Sequence, residues 1–139
     1  DSDLRDSIVN WKFYTSICPP VPTEFLAHAA LQVAEELRSR NQTRITRNLL
    51  IAEEFFSRWP RLFKWRRPLV GSTALVSFNV PSVGELSARL AEQQGILIQS
   101  ARMLGGDDQH MRLGLGREDF PHALEQFETW LRQSDLDRG

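Results

Sequence analysis

Thr73-Ala-Leu-Val-Ser-Phe-Asn-Val-Pro-Ser-Val-Gly-Glu85 contains a change of period that decides the fold class. Up to Val80 the apolar residues alternate: Ala74, Val76, Phe78 and Val80 share one face, with Ser77 and Asn79 on the other. That is a strand with one buried side. Ser82-Val-Gly-Glu85 then matches a capping box and predicts a helix through Leu86, Leu90 and Ala91, ended by Gly95. Downstream, Ile96-Leu-Ile98 predicts a short strand, Gly105-Gly-Asp-Asp108 a turn, and His110 to Leu115 another strand. Phe120, Leu124, Phe127 and Leu131 stripe a last helix. Strands alternating with helices give an α+β fold, a small sheet packed with helices.

Upstream the spacing is helical. Leu4, Ile8 and Trp11 form a short amphipathic stripe that Cys18-Pro-Pro-Val-Pro22 stops, because proline removes a donor and extends the residue before it. Thr23 has the chemistry of an N-cap. Leu26, Ala30, Val33, Leu37, Ile45, Leu49, Ala52, Phe56 and Trp59 follow at helical spacing up to Pro60. An unbroken helix there has about 37 residues and a length of about 55 Å. A globule of this size has a radius of gyration of only about 14 Å, so the helix is expected to kink near Asn41 or to reach past its own domain. The expected divisions are 1–22 (helix and connector), 23–59 (long helix of interdomain type) and 60–135 (α+β core).

With 139 residues, 41% hydrophobic and 25% charged, the chain suits one globular core. No run of about 20 apolar residues is present, and the N-terminus lacks the basic flank and apolar run of a signal peptide. The expected setting is the cytoplasm, with no membrane partner. A net charge of −1 provides no field for nucleic acid, which is not an expected partner either. The first residue is Asp1, not Met, which suggests a fragment of a longer protein.

Few residues offer chemistry. His28, His110 and His122 fall in different elements and no ligand spacing links them to Cys18, so no metal site is expected. Gly114 and Gly116 form G-x-G, but Arg117-Glu-Asp119 follows where a dinucleotide fingerprint needs glycine and a helix start. Cys18 reads as an inert thiol. Arg40, Arg44 and Arg47 share a helix with Glu35, Glu36, Glu53 and Glu54 and read as a solvated, charge-paired face. The basic set is almost all arginine, and Lys12 and Lys64 are the two lysines.

His110-Met-Arg-Leu-Gly-Leu-Gly116 carries the most information about function. On a strand, Met111, Leu113 and Leu115 face the core while His110, Arg112 and Gly114 face away. Arg112 therefore projects beside a residue with no side chain. Its planar fork matches a carboxylate through two parallel hydrogen bonds. An ion pair with an Asp or Glu of this same chain is the alternative, and the sequence leaves both open.

The order of several motifs resembles the C-terminal small domain of class I/II, fold type I pyridoxal phosphate-dependent aminotransferases. They are Trp11-Lys-Phe-Tyr-Thr-Ser-Ile-Cys-Pro-Pro-Val-Pro-Thr-Glu-Phe-Leu-Ala27, Arg47-Asn-Leu-Leu50, Gly71-Ser-Thr73, Gly95-Ile-Leu-Ile98 and Met111-Arg-Leu-Gly-Leu-Gly116. The likeness runs from about Asp3 to Leu131. Tyr14-Thr-Ser-Ile-Cys18 and Thr23-Glu-Phe-Leu-Ala27 are most similar to the capreomycidine synthase-like branch.

The resemblance implies an enzyme acting on an amino acid and 2-oxo acid pair. It implies that Arg112 holds the substrate carboxylate and that the turn from Tyr14 to Pro20 lies near a homodimer interface. It implies pyridoxal 5'-phosphate in the whole protein, bound by an N-terminal cofactor domain. The lysine, the aspartate and the phosphate cup that hold the cofactor in relatives precede the part that matches here, so no catalytic residue is expected in this chain and no activity from it alone. Ser100-Ala101 and Leu104 stand where relatives have Pro-Gly and an aromatic. A different class remains as the alternative: a non-catalytic α+β interaction or amino-acid-sensing module.

Overall fold

The structure, a computed structural model, describes residues 2–16 and 18–137; Asp1, Ile17, Arg138 and Gly139 lie outside them. The chain divides into two compact units, Asp1–Ser39 and Arg40–Gly139.

The first unit holds α1 (Ser2–Thr15), α2 (Val21–Gln32) and the opening of α3 (Ala34–Arg58). α2 begins two residues before Thr23. Pro20, extended at φ −60° and ψ 138°, is its N-cap, and the Pro20 carbonyl accepts from the N–H groups of Thr23 (2.8 Å) and Glu24 (3.2 Å). Pro22 then costs nothing, because its missing N–H falls among first-turn donors that have no helical partner. Of the two alternatives expected for the long helix, a kink near Asn41 or a reach past its own domain, the kink is not formed there: Asn41 lies inside α3, and a break falls at Val33, with φ −111° and ψ 18°. A β-branched side chain is stiff against the preceding turn, which weakens the helix at that point. Leu4, Ile8 and Trp11 are exposed, at 61%, 60% and 72%.

The second unit adds β1 (Phe63–Lys64), β2 (Thr73–Phe78), α4 (Val83–Gln94), β3 (Gln99–Ser100), β4 (His110–Gly114) and α5 (Phe120–Gln133) to the rest of α3. The four strands form one sheet in the order β1-β2-β4-β3. Every neighbouring pair is antiparallel. Ala74, Val76, Phe78 and Met111 are buried on one face. That face joins a core to which α3 gives Leu49, Ala52, Phe55 and Phe56, α4 gives Leu86 and Leu90, and α5 gives Phe120, Leu124, Phe127 and Leu131. Rings meet at its centre, with centroids 4.4 Å apart for Phe63 and Phe78 and 5.9 Å for Phe55 and Phe127. Burying each such ring contributes roughly 1.5–3 kcal/mol. The fold is α+β, with a long helix leading into a small sheet and its helices.

Two local readings change. The strand expected at Ile96–Ile98 lies at Gln99–Ser100. Ile96 N–H instead closes the end of α4 on Leu90 O (3.4 Å), and Ile98 O accepts from the Ser87 hydroxyl, so backbone groups that a ladder needs are committed elsewhere. β1 has only two residues, too few for an alternating pattern to register.

Candidate functional site

β4 is central to the site because its alternation fixes which side chains enter the core. Met111 and Leu115 are buried, while Arg112 and Gly114 are exposed. Cross-strand partners share a face, so the register groups Thr73 with Gly114, Leu75 and Gln99 with Arg112, and Ser77 with His110. This open face is polar apart from Leu75, which is 55% exposed.

Among the described residues, the side chains of eight arginines enter hydrogen bonds or ion pairs that can be named, and the Arg112 side chain is not among them. The intramolecular ion pair raised by the sequence is not formed among the described residues. A Cβ built on Gly114 meets nothing within 4 Å, so the space beside the Arg112 backbone is open. His110, two residues earlier, has its Nδ1 at 2.7 Å from Asp107 Oδ1. That hydrogen bond is the main reason the Asp107 carboxyl lies below the usual carboxylate range.

A clamp from α3 fixes the exit of β4. Asn48 is fully buried, and its Nδ2 donates to Leu115 O (2.9 Å) and Arg117 O (2.7 Å). Its Oδ1 accepts from Arg47 Nε and Nη2, both at 3.3 Å. Arg47 also donates to Glu118 O (3.3 Å), and Arg44 pairs with the Glu118 carboxylate at 3.4 Å. Of these arginines, Arg44 departs from the solvated face expected, with 24% of its side chain exposed, while Arg47 stays exposed; both bind the segment that follows the strand. Asn48 was missed from the sequence, although the signal was there. It occupies the apolar stripe between Ile45 and Ala52, and a poor helix former in a buried helical position needs a partner.

A second network holds the strand's entry. Asp108 Oδ2 accepts from Ser82 Oγ (2.5 Å), and Oδ1 accepts from Ser100 Oγ (2.6 Å) and Gly84 N–H (3.0 Å). The Ser100 bond leads the causes that hold the Asp108 carboxyl below its ordinary value, followed by the Ser82 bond. Ser82 Oγ in turn accepts from Glu85 N–H (3.0 Å), the N-cap expected from the sequence.

The fold as a whole is shared with known structures. A PLP-dependent aminotransferase from Streptococcus suis 89-1591 superposes with a TM-score of 0.80 at 27% identity, covering 92% of this chain and 34% of that one. The chain has the small-domain fold of PLP-dependent aminotransferases. The PLP-dependent cyclase OrfR matches this small domain with a TM-score of 0.79 at 23% identity over 94% of this chain. An aminotransferase from Mycobacterium tuberculosis does so with 0.74 at 18%, also over 94%. The small domain spans about a third of the length of these structures, 34–37%. No family model matches the sequence, and no curated protein does.

The residues present do not fit the cofactor. A pyridoxal aldehyde needs a lysine in a sheltered site. Lys12 is exposed on α1 with its Nζ donating to Ser16 Oγ at 2.7 Å, and Lys64 is exposed on the two-residue β1. No described helix is long and apolar enough to cross a membrane.

Proposed function

We propose that this chain is the small domain of a PLP-dependent aminotransferase acting on an amino acid and 2-oxo acid pair. In this reading Arg112 binds the substrate carboxylate, and the cofactor and its lysine are held by a separate N-terminal domain. The observation that carries this is the state of Arg112: a guanidinium on an exposed sheet face, beside a glycine, with no partner among the described residues. Fifteen arginines and 18 carboxylates stand in the sequence, yet among the described residues this fork has no ion-pair partner on a strand anchored at both ends.

The work assigned to the chain is positional. Two parallel hydrogen bonds from Arg112 fix both the place and the plane of a carboxylate, and holding a reactant in one orientation lowers the entropic cost of reaction. Asn48 keeps the end of β4 in place while this happens. The proton and electron chemistry belongs to groups outside this chain, so the chain alone has no transaminase activity in this reading. The whole protein is proposed to work as a homodimer in the cytoplasm.

In the whole protein, Arg112→Ala should raise KM and lower kcat/KM by the equivalent of about 2–4 kcal/mol, as when one partner of a hydrogen-bonded charge pair is removed. Arg112→Lys should recover little, because the ammonium cannot reproduce the fork. Steady-state kinetics on the purified variants decide it, and unchanged constants remove Arg112 from the site.

A further inference from the structure

On the open face of the sheet Arg112 has two cross-strand neighbours, Leu75 of β2 and Gln99 of β3. Along β4 it is flanked on that face by His110 and Gly114, with Ser77 and Thr73 of β2 opposite them. None of these residues is an acid. Asp107, at the entry to β4, is taken up by His110, its Oδ1 lying 2.7 Å from Nδ1. Opposite charges on facing strands attract, so an acid beside Arg112 would occupy its fork. Position 99 is where the difference is smallest. Glutamine matches glutamate in length and shape and differs by an NH2 group in place of an oxygen. Gln99 is half-buried, and its side-chain amide enters no hydrogen bond with a described residue. Its backbone is well held: the next residue, Ser100, pairs with Met111 and donates from Oγ to Asp108 Oδ1 at 2.6 Å.

We infer that Gln99 is a second binding group for the carboxylate that Arg112 holds, and that its neutral amide keeps the fork open to that ligand. The inference rests on the carboxylate role of Arg112 argued above. Facing side chains on one sheet face have Cβ atoms about 4.5–5.5 Å apart, so the guanidinium and the amide both reach one small group placed over the pair. Two parallel hydrogen bonds from Arg112 use one lone pair on each carboxylate oxygen. Each oxygen keeps another, and Gln99 Nε2 donates to one of them. The Gln99 Oε1 accepts from a guanidinium N–H that the carboxylate leaves over, which steadies the plane of the fork. A carboxylate at position 99 would do the opposite, closing the site with an ion pair inside the chain.

Heteronuclear NMR titration of the 139-residue chain with propanoate, with propan-1-ol as the uncharged control, reads both groups at once. Propanoate should shift the Arg112 Nε–H and the Gln99 side-chain amide with one dissociation constant, and the alcohol should shift neither. Gln99→Leu removes one hydrogen bond to a charged group and should weaken propanoate by about fivefold. Gln99→Glu should weaken it by about tenfold or more. Before any ligand is added, Gln99→Glu should also slow exchange of the Arg112 Nε proton, with a melting temperature unchanged or raised by the new cross-strand pair. Loss of binding at undiminished stability is a result that a merely structural role for Gln99 does not produce. If Gln99→Glu lowers the melting temperature, Gln99→Leu decides. A propanoate shift at Arg112 that leaves the Gln99 amide unmoved, or an unchanged affinity in Gln99→Leu, overturns the second binding group and leaves Arg112 standing. Undiminished binding by a stably folded Gln99→Glu overturns the claim that neutrality at position 99 keeps the fork open. If propanoate does not shift Arg112, the carboxylate reading fails, and this inference with it.

Discussion

Asn48 shows how one amide determines the placement of a functional strand. All three of its hydrogen-bonding positions named above are used, and two of them hold carbonyls just past Gly114. Asn48→Leu keeps the volume but leaves those carbonyls short of donors in a buried site. The expected loss is about 1–3 kcal/mol, the range for a buried polar group deprived of its partner. Asn48→Asp should be worse, because it sets carboxylate oxygen against carbonyl oxygen. Urea denaturation measures both, and a change within about 0.5 kcal/mol, the spread of ordinary surface substitutions, would contradict the clamp.

At the scale of elements, Asp108 links the N-terminus of α4, the end of β3 and the entry to β4. Ser82→Ala removes both the N-cap of α4 and a donor to Asp108, and should cost about 0.5–2 kcal/mol, as at other N-caps. Asp108 also makes the arrangement sensitive to acid. Its folded pKa is below the ordinary value of 3.8, so the charged form stabilises the fold at pH values above that figure. The contribution is lost as the pH falls below 3.8 through the depressed value, where the folded state takes up the proton. Glu128, held down chiefly by its hydrogen bond with Arg58, acts in the same direction. Melting temperatures from pH 7 to pH 3 should fall in the acid range, and Asp108→Asn should flatten that fall. An acid limb of unchanged steepness would show that Asp108 does not report on folding.

For the whole molecule the notable surface lies on the first two helices. Phe13 and Tyr14 on α1 and Val21, Phe25, Leu26 and Leu31 on α2 are exposed at 63–90%. Exposed apolar side chains in this number mark contact sites, and a net charge of −1 sets up little repulsion between copies. The chain should therefore self-associate. Sedimentation velocity should show a weight-average coefficient that rises with concentration and falls back when Phe25 and Leu26 are both replaced by Ser. A single monomer boundary at all concentrations counts against it.

Periodicity and capping chemistry were legible because they depend on local covalent geometry. The α+β class, the Ser82 cap, the αL Gly95 end of α4 with φ 67°, and the outward direction of Arg112 follow from residues a few positions apart. The aminotransferase resemblance was likewise carried by short motifs in order. The partners of Asn48, 67 and 69 residues away, and those of Asp108, 8 to 26 residues away, follow from no local rule. Nor do the strand order β1-β2-β4-β3 or the position of β3 at Gln99–Ser100. Tertiary packing decided these, because a buried amide or carboxylate takes whichever backbone groups the chain brings within about 3 Å, and many chain separations are compatible with one local pattern.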